Sequence, residues 1–249
     1  MLAGAALGVG CHSGPPSAVD PAMAACVPPG ATILAGANLA RIRTSPVFAQ
    51  LPPSALAFLE PLHDAASLLV ASNGTGSLIL ARGSFQQPPA GATLLAPGLA
   101  AAGSPDWLRT AQAQQHRAGA APAALLEQAE PLAATTDLWM VAEGSANLPF
   151  RGNGENLNHL LHTTRYTTWS VRLTTNIAIE VAAVCAAPET ARHLEETARA
   201  YLTLGAASTA RQPELSNLLR SIQIRTDDRT VHLNVTAQSA ELDQLLKLP

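Results

Sequence analysis

RYTTWSVRLTTNIAIEVAAVC, residues 165–185, carries the strongest structural signal in the chain. Trp169, Val171 and Leu173 alternate with Thr168, Ser170 and Arg172, and a period of two sends the two sets to opposite faces of a strand. Thr174-Thr175-Asn176 supplies a turn, after which Ile177, Ile179, Val181, Ala183 and Cys185 repeat the alternation. Apolar residues on one side and polar residues on the other describe an antiparallel hairpin with one face on a core and one in water.

The flanking sequence extends this pattern. Residues 66–72 and 77–83 enclose Asn73-Gly74-Thr75-Gly76, a tight-turn composition, and 222–225 and 230–236 enclose Asp227-Asp228. Single strands are expected over 31–37 and 136–143. Helices are expected where Ser or Pro precedes an apolar stripe. Ser45-Pro46 opens one, with Ser45 as N-cap; Pro52-Pro53 interrupts it, and a second piece follows over 54–62. Further helices open at Ser104-Pro105, Pro122, Pro188 and Pro213, with a short one over 156–162 and a last one over 239–248 packing through Leu242, Leu245 and Leu246. Residues 86–103, rich in Pro, Gly and Ala, read as a surface crossing. The expected fold is α+β: an antiparallel sheet of hairpins with helices packed on it. Residues 31–83 and 136–185 share an element order, so the body divides into two similar βαββ-type halves, 30–103 and 104–249.

Charged residues make up 13% of the 249, against the roughly 25% usual in globular chains. Net charge is −3, which gives no electrostatic footprint for nucleic acid; Lys247 is the only lysine, and the arginines that carry the remaining positive charge are scattered. MLAGAALGVG, residues 1–10, is apolar and ends in small residues. Ten residues span about 15 Å as a helix, half a bilayer core, which suits the apolar region of a signal peptide and not a membrane span. Leu7-Gly8-Val9-Gly10-Cys11 resembles the lipobox of bacterial lipoproteins, with Gly8 where that motif has Leu and with no basic residue before Arg41. The resemblance implies acylation at Cys11. An ordinary secretion signal cleaved after Ala22-Met23-Ala24-Ala25 is the alternative. The expected order is a leader over 1–11, a Pro-rich tether over 12–29 and the body from 30 to 249, exported to the periplasm or the outer membrane.

Cys26 and Cys185 are open to two readings: a disulfide in an oxidising compartment, or two buried thiols behaving as small apolar side chains. His159 and His162 stand three apart on the short helix, one turn after Glu155, a spacing a metal accepts. No Cys or carboxylate cluster completes a site, and neither a G-x-S-x-G elbow nor an active-site cysteine motif occurs, so no cofactor, metal or catalytic residue is assigned. Asp137, Glu143, Glu180 and Asp243 are dispersed, His193 and His232 fall on expected solvent faces, and Trp107, Trp139 and Trp169 lie among apolar neighbours.

Pro28-Pro29-Gly30-Ala31 followed by LAGANLARIRTSPVF (34–48) resembles the opening of a class of uncharacterised bacterial envelope proteins. The resemblance covers Pro28 to about Gly83 and implies an envelope compartment and a soluble α+β body, with no site residues. The expected function is a non-enzymatic binding or assembly module, held to a membrane by lipid and meeting a protein partner in the envelope. The alternatives are a periplasmic enzyme built around His159 and His162, or an adaptor that adds a strand at an exposed hairpin edge.

Overall fold

The computed structural model describes residues 18–50, 60–114, 121–147, 161–209 and 213–238. In chain order these form helix α1 (Pro21–Cys26), strand β1 (Ile33–Asn38), helix α2 (Leu39–Thr44), 3-10 turns at Phe48–Gln50 and Glu60–Leu62, and strands β2 (Ala65–Ser72), β3 (Ser77–Gly83), β4 (Thr93–Ala96) and β5 (Leu99–Gly103). Helices α3 (Pro105–Gln114) and α4 (Ala123–Thr135) lead to strands β6 (Leu138–Glu143), β7 (Thr164–Leu173) and β8 (Asn176–Cys185). Helices α5 (Pro188–Ser208) and α6 (Pro213–Ser221) then precede strands β9 (Gln223–Asp227) and β10 (Thr230–Gln238).

All ten strands join one antiparallel sheet in the order β4-β5-β3-β2-β1-β6-β7-β8-β10-β9. The order repeats outward from the centre. β1 and β6 pair in the middle, with Ala35 opposite Met140, and each is followed outward by its own hairpin and then by a second hairpin whose later strand pairs inward. The two units therefore hold five strands each, more than the βαββ arrangement expected from sequence.

Residues paired across strands share a face, so register assigns the core. One face carries Leu34, Leu69, Leu78, Leu80, Leu99 and Val141, all buried, under α1, α3 and α4, which contribute Met23, Cys26, Ala111, Leu125 and Ala129. The opposite face is covered at its two ends. α2 sets Leu39 and Ile42 over Ala81 and Ala100, while α5 sets Ala191 and Leu194 over Ala183, Val231 and Ile224.

Four expectations change. Residues 18–29 are not a tether: Asp20 caps α1 by accepting from Ala22 N (2.7 Å) and Met23 N (3.3 Å), Pro21 takes the first turn, and Val19, Met23, Cys26 and Val27 are buried. Cleavage after Ala25 would thus pull Val19 and Met23 out of the core. Ser45 caps the 3-10 turn Phe48–Gln50, where a longer helix was expected, and it also closes α2, a helix the sequence reading did not place. Asn38 caps the start of α2 through Arg41 N (2.9 Å), and Ser45 Oγ donates to Ile42 O (2.8 Å) and accepts from Phe48 N (3.2 Å). Residues 93–103 form the β4–β5 hairpin around Gly98 (φ +70°), where a surface crossing was expected. Last, of the two readings of Cys26 and Cys185 the structure has the buried free thiols, each in its own cluster, and does not bring the pair together. Residues 156–160 of the expected short helix, the segment 54–59 and the helix over 239–248 lie outside the described residues.

Candidate functional site

The residues singled out from sequence do not converge. Cys11 and His159 lie outside the described residues. Burial raises the Cys26 thiol, with the Asp20 carboxylate adding to it, and burial alone raises Cys185, so both stay protonated and inert. His162 is exposed at a cleft of about 680 Å3 between α4 and the ends of β6 and β7, together with Glu127, Glu143, Arg165 and Tyr166. Glu143 accepts from Ser145 Oγ at 3.5 Å, a long contact for activating a hydroxyl. Among the described residues, no three His, Cys, Asp or Glu side chains are grouped to hold a metal.

The other dispersed acids serve the scaffold. Asp137 Oδ2 accepts from Leu173 N (2.7 Å), and its Oδ1 meets Arg41 Nε (3.1 Å). Arg41 also donates to the carbonyls of Thr136 and Ala134, so this pair clamps α2 to β6 and β7. Glu195 binds Arg199 (2.6 Å) and Thr226 Oγ1 (2.5 Å), and Arg199 donates to Ile224 O (2.7 Å). That donation occupies a carbonyl of the edge strand β9 and works against strand addition there; the opposite edge, β4, has four residues and a register shift. His232, expected in solvent, has a side chain 19% exposed, with its Nδ1 3.6 Å from Glu180.

Two further concavities lie on the central strands. One, about 600 Å3, lies where α1 meets the sheet and is bordered by Met23, Asn38, Ser67 and Trp139, with the Asp20–Arg82 ion pair (3.0 Å) beside it. The other is a shallow trough of about 350 Å3 on the opposite face, floored by Ala35, Val70, Leu138, Met140, Trp169 and Val171. The helices on that face pack against β2 and against β8, β9 and β10, on either side of it. Leu138 is 37% exposed and Ile79, on the same face, 42%. Ile79 stands beside Val70 at the edge of the trough, and the continuous apolar floor, not single exposed residues, is what marks a contact surface. Sequence placed all three tryptophans in the core. Trp139 is buried, Trp107 is half-buried against the main cluster, and Trp169 is half-buried against Ile33, Ala142 and Ala146; Trp139 and Trp169 also line this trough. The signal that could have found it is the run of apolar positions on β1, β6 and β7 facing the side to which no neighbouring helix was assigned.

No helix among the described residues is long and apolar enough to cross a membrane. No protein-family model and no curated protein matches the chain. Its fold is similar to solved structures of TP0453. Crystal form III aligns with a TM-score of 0.55 at 9% identity, over 92% of this chain and 98% of that one. Crystal forms I and IV give 0.53 and 0.52 at 10% identity, over 92% of this chain and 97% of theirs. At such identity the likeness establishes the α+β fold alone.

Proposed function

We propose that the chain is a non-enzymatic binding module of the bacterial envelope, held to a membrane by lipid on Cys11, whose sheet trough receives one amphipathic helix of a protein partner. The trough carries this reading. Its floor offers almost no hydrogen-bonding group, so a polar ligand would lose its water contacts without replacement, whereas apolar side chains gain by burial. The floor runs from Val70 on β2 across β1 and β6 to Trp169 and Val171 on β7, three inter-strand spacings or about 14 Å, room for one helix of about 10–12 Å diameter and too narrow for two. The scaffold roles of Asp137 and Glu195 and the inert thiols also fit a binder.

Two measurements test it. Mass spectrometry of the mature N-terminus should show a diacylglyceryl adduct on Cys11; an unmodified terminus defeats the anchor. A photo-crosslinking amino acid replacing Leu138 should give one discrete protein adduct in the native envelope, joined through an amphipathic helical peptide, and none when placed at exposed Tyr201. Adducts to lipid alone, or equal adducts at both positions, defeat the partner.

A further inference from the structure

We infer that the lipid anchor holds the α1–α3–α4 face toward the bilayer and displays the trough to the aqueous side, so that the partner is a soluble or periplasm-exposed segment and not a membrane-embedded one. This rests on acylation of Cys11 as proposed above. Its basis is the length of the leash. Read as a tether to residue 29, the chain would let the body hang some 60 Å from its anchor at about 3.3–3.6 Å per residue. The fold shortens that leash. Ala18 N donates to Glu130 Oε2 on α4 (2.8 Å), and Asp20 is fixed by its cap and by Arg82. Only residues 12–17 separate Cys11 from this attachment. The span from Cys11 to Ala18 is then at most about 25 Å, fully extended.

The attachment lies on one face and the trough on the other. α1 and α4 bury Met23, Cys26, Leu125 and Ala129 against Leu34, Leu69 and Val141, while the trough is floored by the alternate residues Ala35, Val70 and Met140. For a bilayer to lie against the trough side, it would rest on α5, which stands on that face. The leash would cross from the α4 layer to the sheet, from the sheet to the α5 layer, and past the radius of α5: about 10, 10 and 5 Å in layer spacings. That depth consumes the whole leash before any sideways step round the strands. α4 packs on β1 and β6 at the middle of the sheet, four spacings or about 20 Å from either edge. The trough side therefore cannot face the membrane.

The experiment uses the full-length lipidated protein on vesicles of phosphatidylethanolamine and phosphatidylglycerol that carry a nitroxide lipid near the headgroup. Cys26 and Cys185 are buried, so a fluorophore goes to one introduced cysteine: Glu127→Cys, exposed on α4, or Leu138→Cys at the trough. The expected result is at least twofold stronger quenching at position 127 than at 138. Inserting twenty Gly/Ser residues after Ser13 should abolish the difference. Equal or reversed quenching in vesicle-bound protein overturns the orientation while leaving the anchor intact, as does a contrast that survives the longer leash. Failure of the wild type to float with vesicles, like the Cys11→Ser control, overturns anchor and orientation together.

Discussion

Met23→Ala tests whether the residues that read as a tether belong to the core. Met23 is 3% exposed and packs in the main cluster with Leu34, Leu69 and Trp139. Truncating a buried methionine removes the transfer energy of its side chain and leaves a cavity, which together cost about 2–5 kcal/mol. Losing the whole segment would also remove Val19 and Val27, each worth about 1.5–3 kcal/mol, so the segment approaches the entire 5–15 kcal/mol stability of a typical domain. For an m-value of about 2–3 kcal/mol per molar urea, a 3 kcal/mol loss lowers the midpoint by about 1–1.5 M. Urea unfolding followed by tryptophan fluorescence reads this directly, since Trp139 lies in the same cluster. Tyr201→Ala, at a residue 47% exposed, should stay within about 0.5 kcal/mol of wild type. If Met23→Ala is equally silent, α1 is an appendage and the short leash argued from it fails.

Gly36→Ala should cost about 1–3 kcal/mol in the same assay, because a Cβ there would sit inside the Trp139 ring and force it from its rotamer. Trp139 fluorescence should shift with it; an unchanged spectrum and midpoint would refute the contact. The Glu195 carboxyl is held below its usual range, first by Thr226 and then by Arg199. A depressed folded-state value adds stability above the ordinary carboxylate pKa that is lost as pH falls through the folded value, so Glu195→Gln should flatten the acid limb of the stability profile and leave its alkaline limb unchanged. Ellman's reagent at pH 8 should find Cys26 and Cys185 unreactive in the native protein and reactive in denaturant, as burial requires; rapid native reaction at either would show that its cluster opens.

The hairpins were legible in sequence wherever alternation and turn chemistry agreed. Asn73-Gly74-Thr75-Gly76 turns as expected, with Asn73 Oδ1 accepting from Thr75 N and Gly76 N, and β7 and β8 pair within a residue of their predicted limits. Illegible elements lacked a local signature. β5 reads LAAAG, poor in strand-forming residues, and becomes a strand because β3 and β4 pair with it on both sides. Its cue was Pro97-Gly98 between apolar runs. Ser45 was read only in part, because a serine that caps the start of one turn can also close the helix before it, and here it does both. α1 was hidden by its small residues and the prolines on either side of its body, and only tertiary contact reveals that Met23 and Cys26 are inside. The trough was half legible: its apolar positions on β1, β6 and β7 stand in the sequence, but which face the helices leave bare is settled only by tertiary packing.

The central pairing of β1 with β6 gives the chain the topology of a dimer made in one molecule. Each unit offers its first strand to the other, as two copies of a single unit would across a two-fold axis, and the linking segment replaces association between molecules by an effective concentration in the millimolar range. A true dimer must place the same residues at both equivalent positions. A linked pair is released from that rule, and the seam shows it. Leu34 opposite Val141 is the two-fold mate of Trp139 opposite Gly36: two middle-sized side chains on one side of the axis, one very large and one absent on the other. The summed volume is nearly kept while the shapes diverge, and the divergence builds the Trp139 wall of the α1 cleft on one half alone.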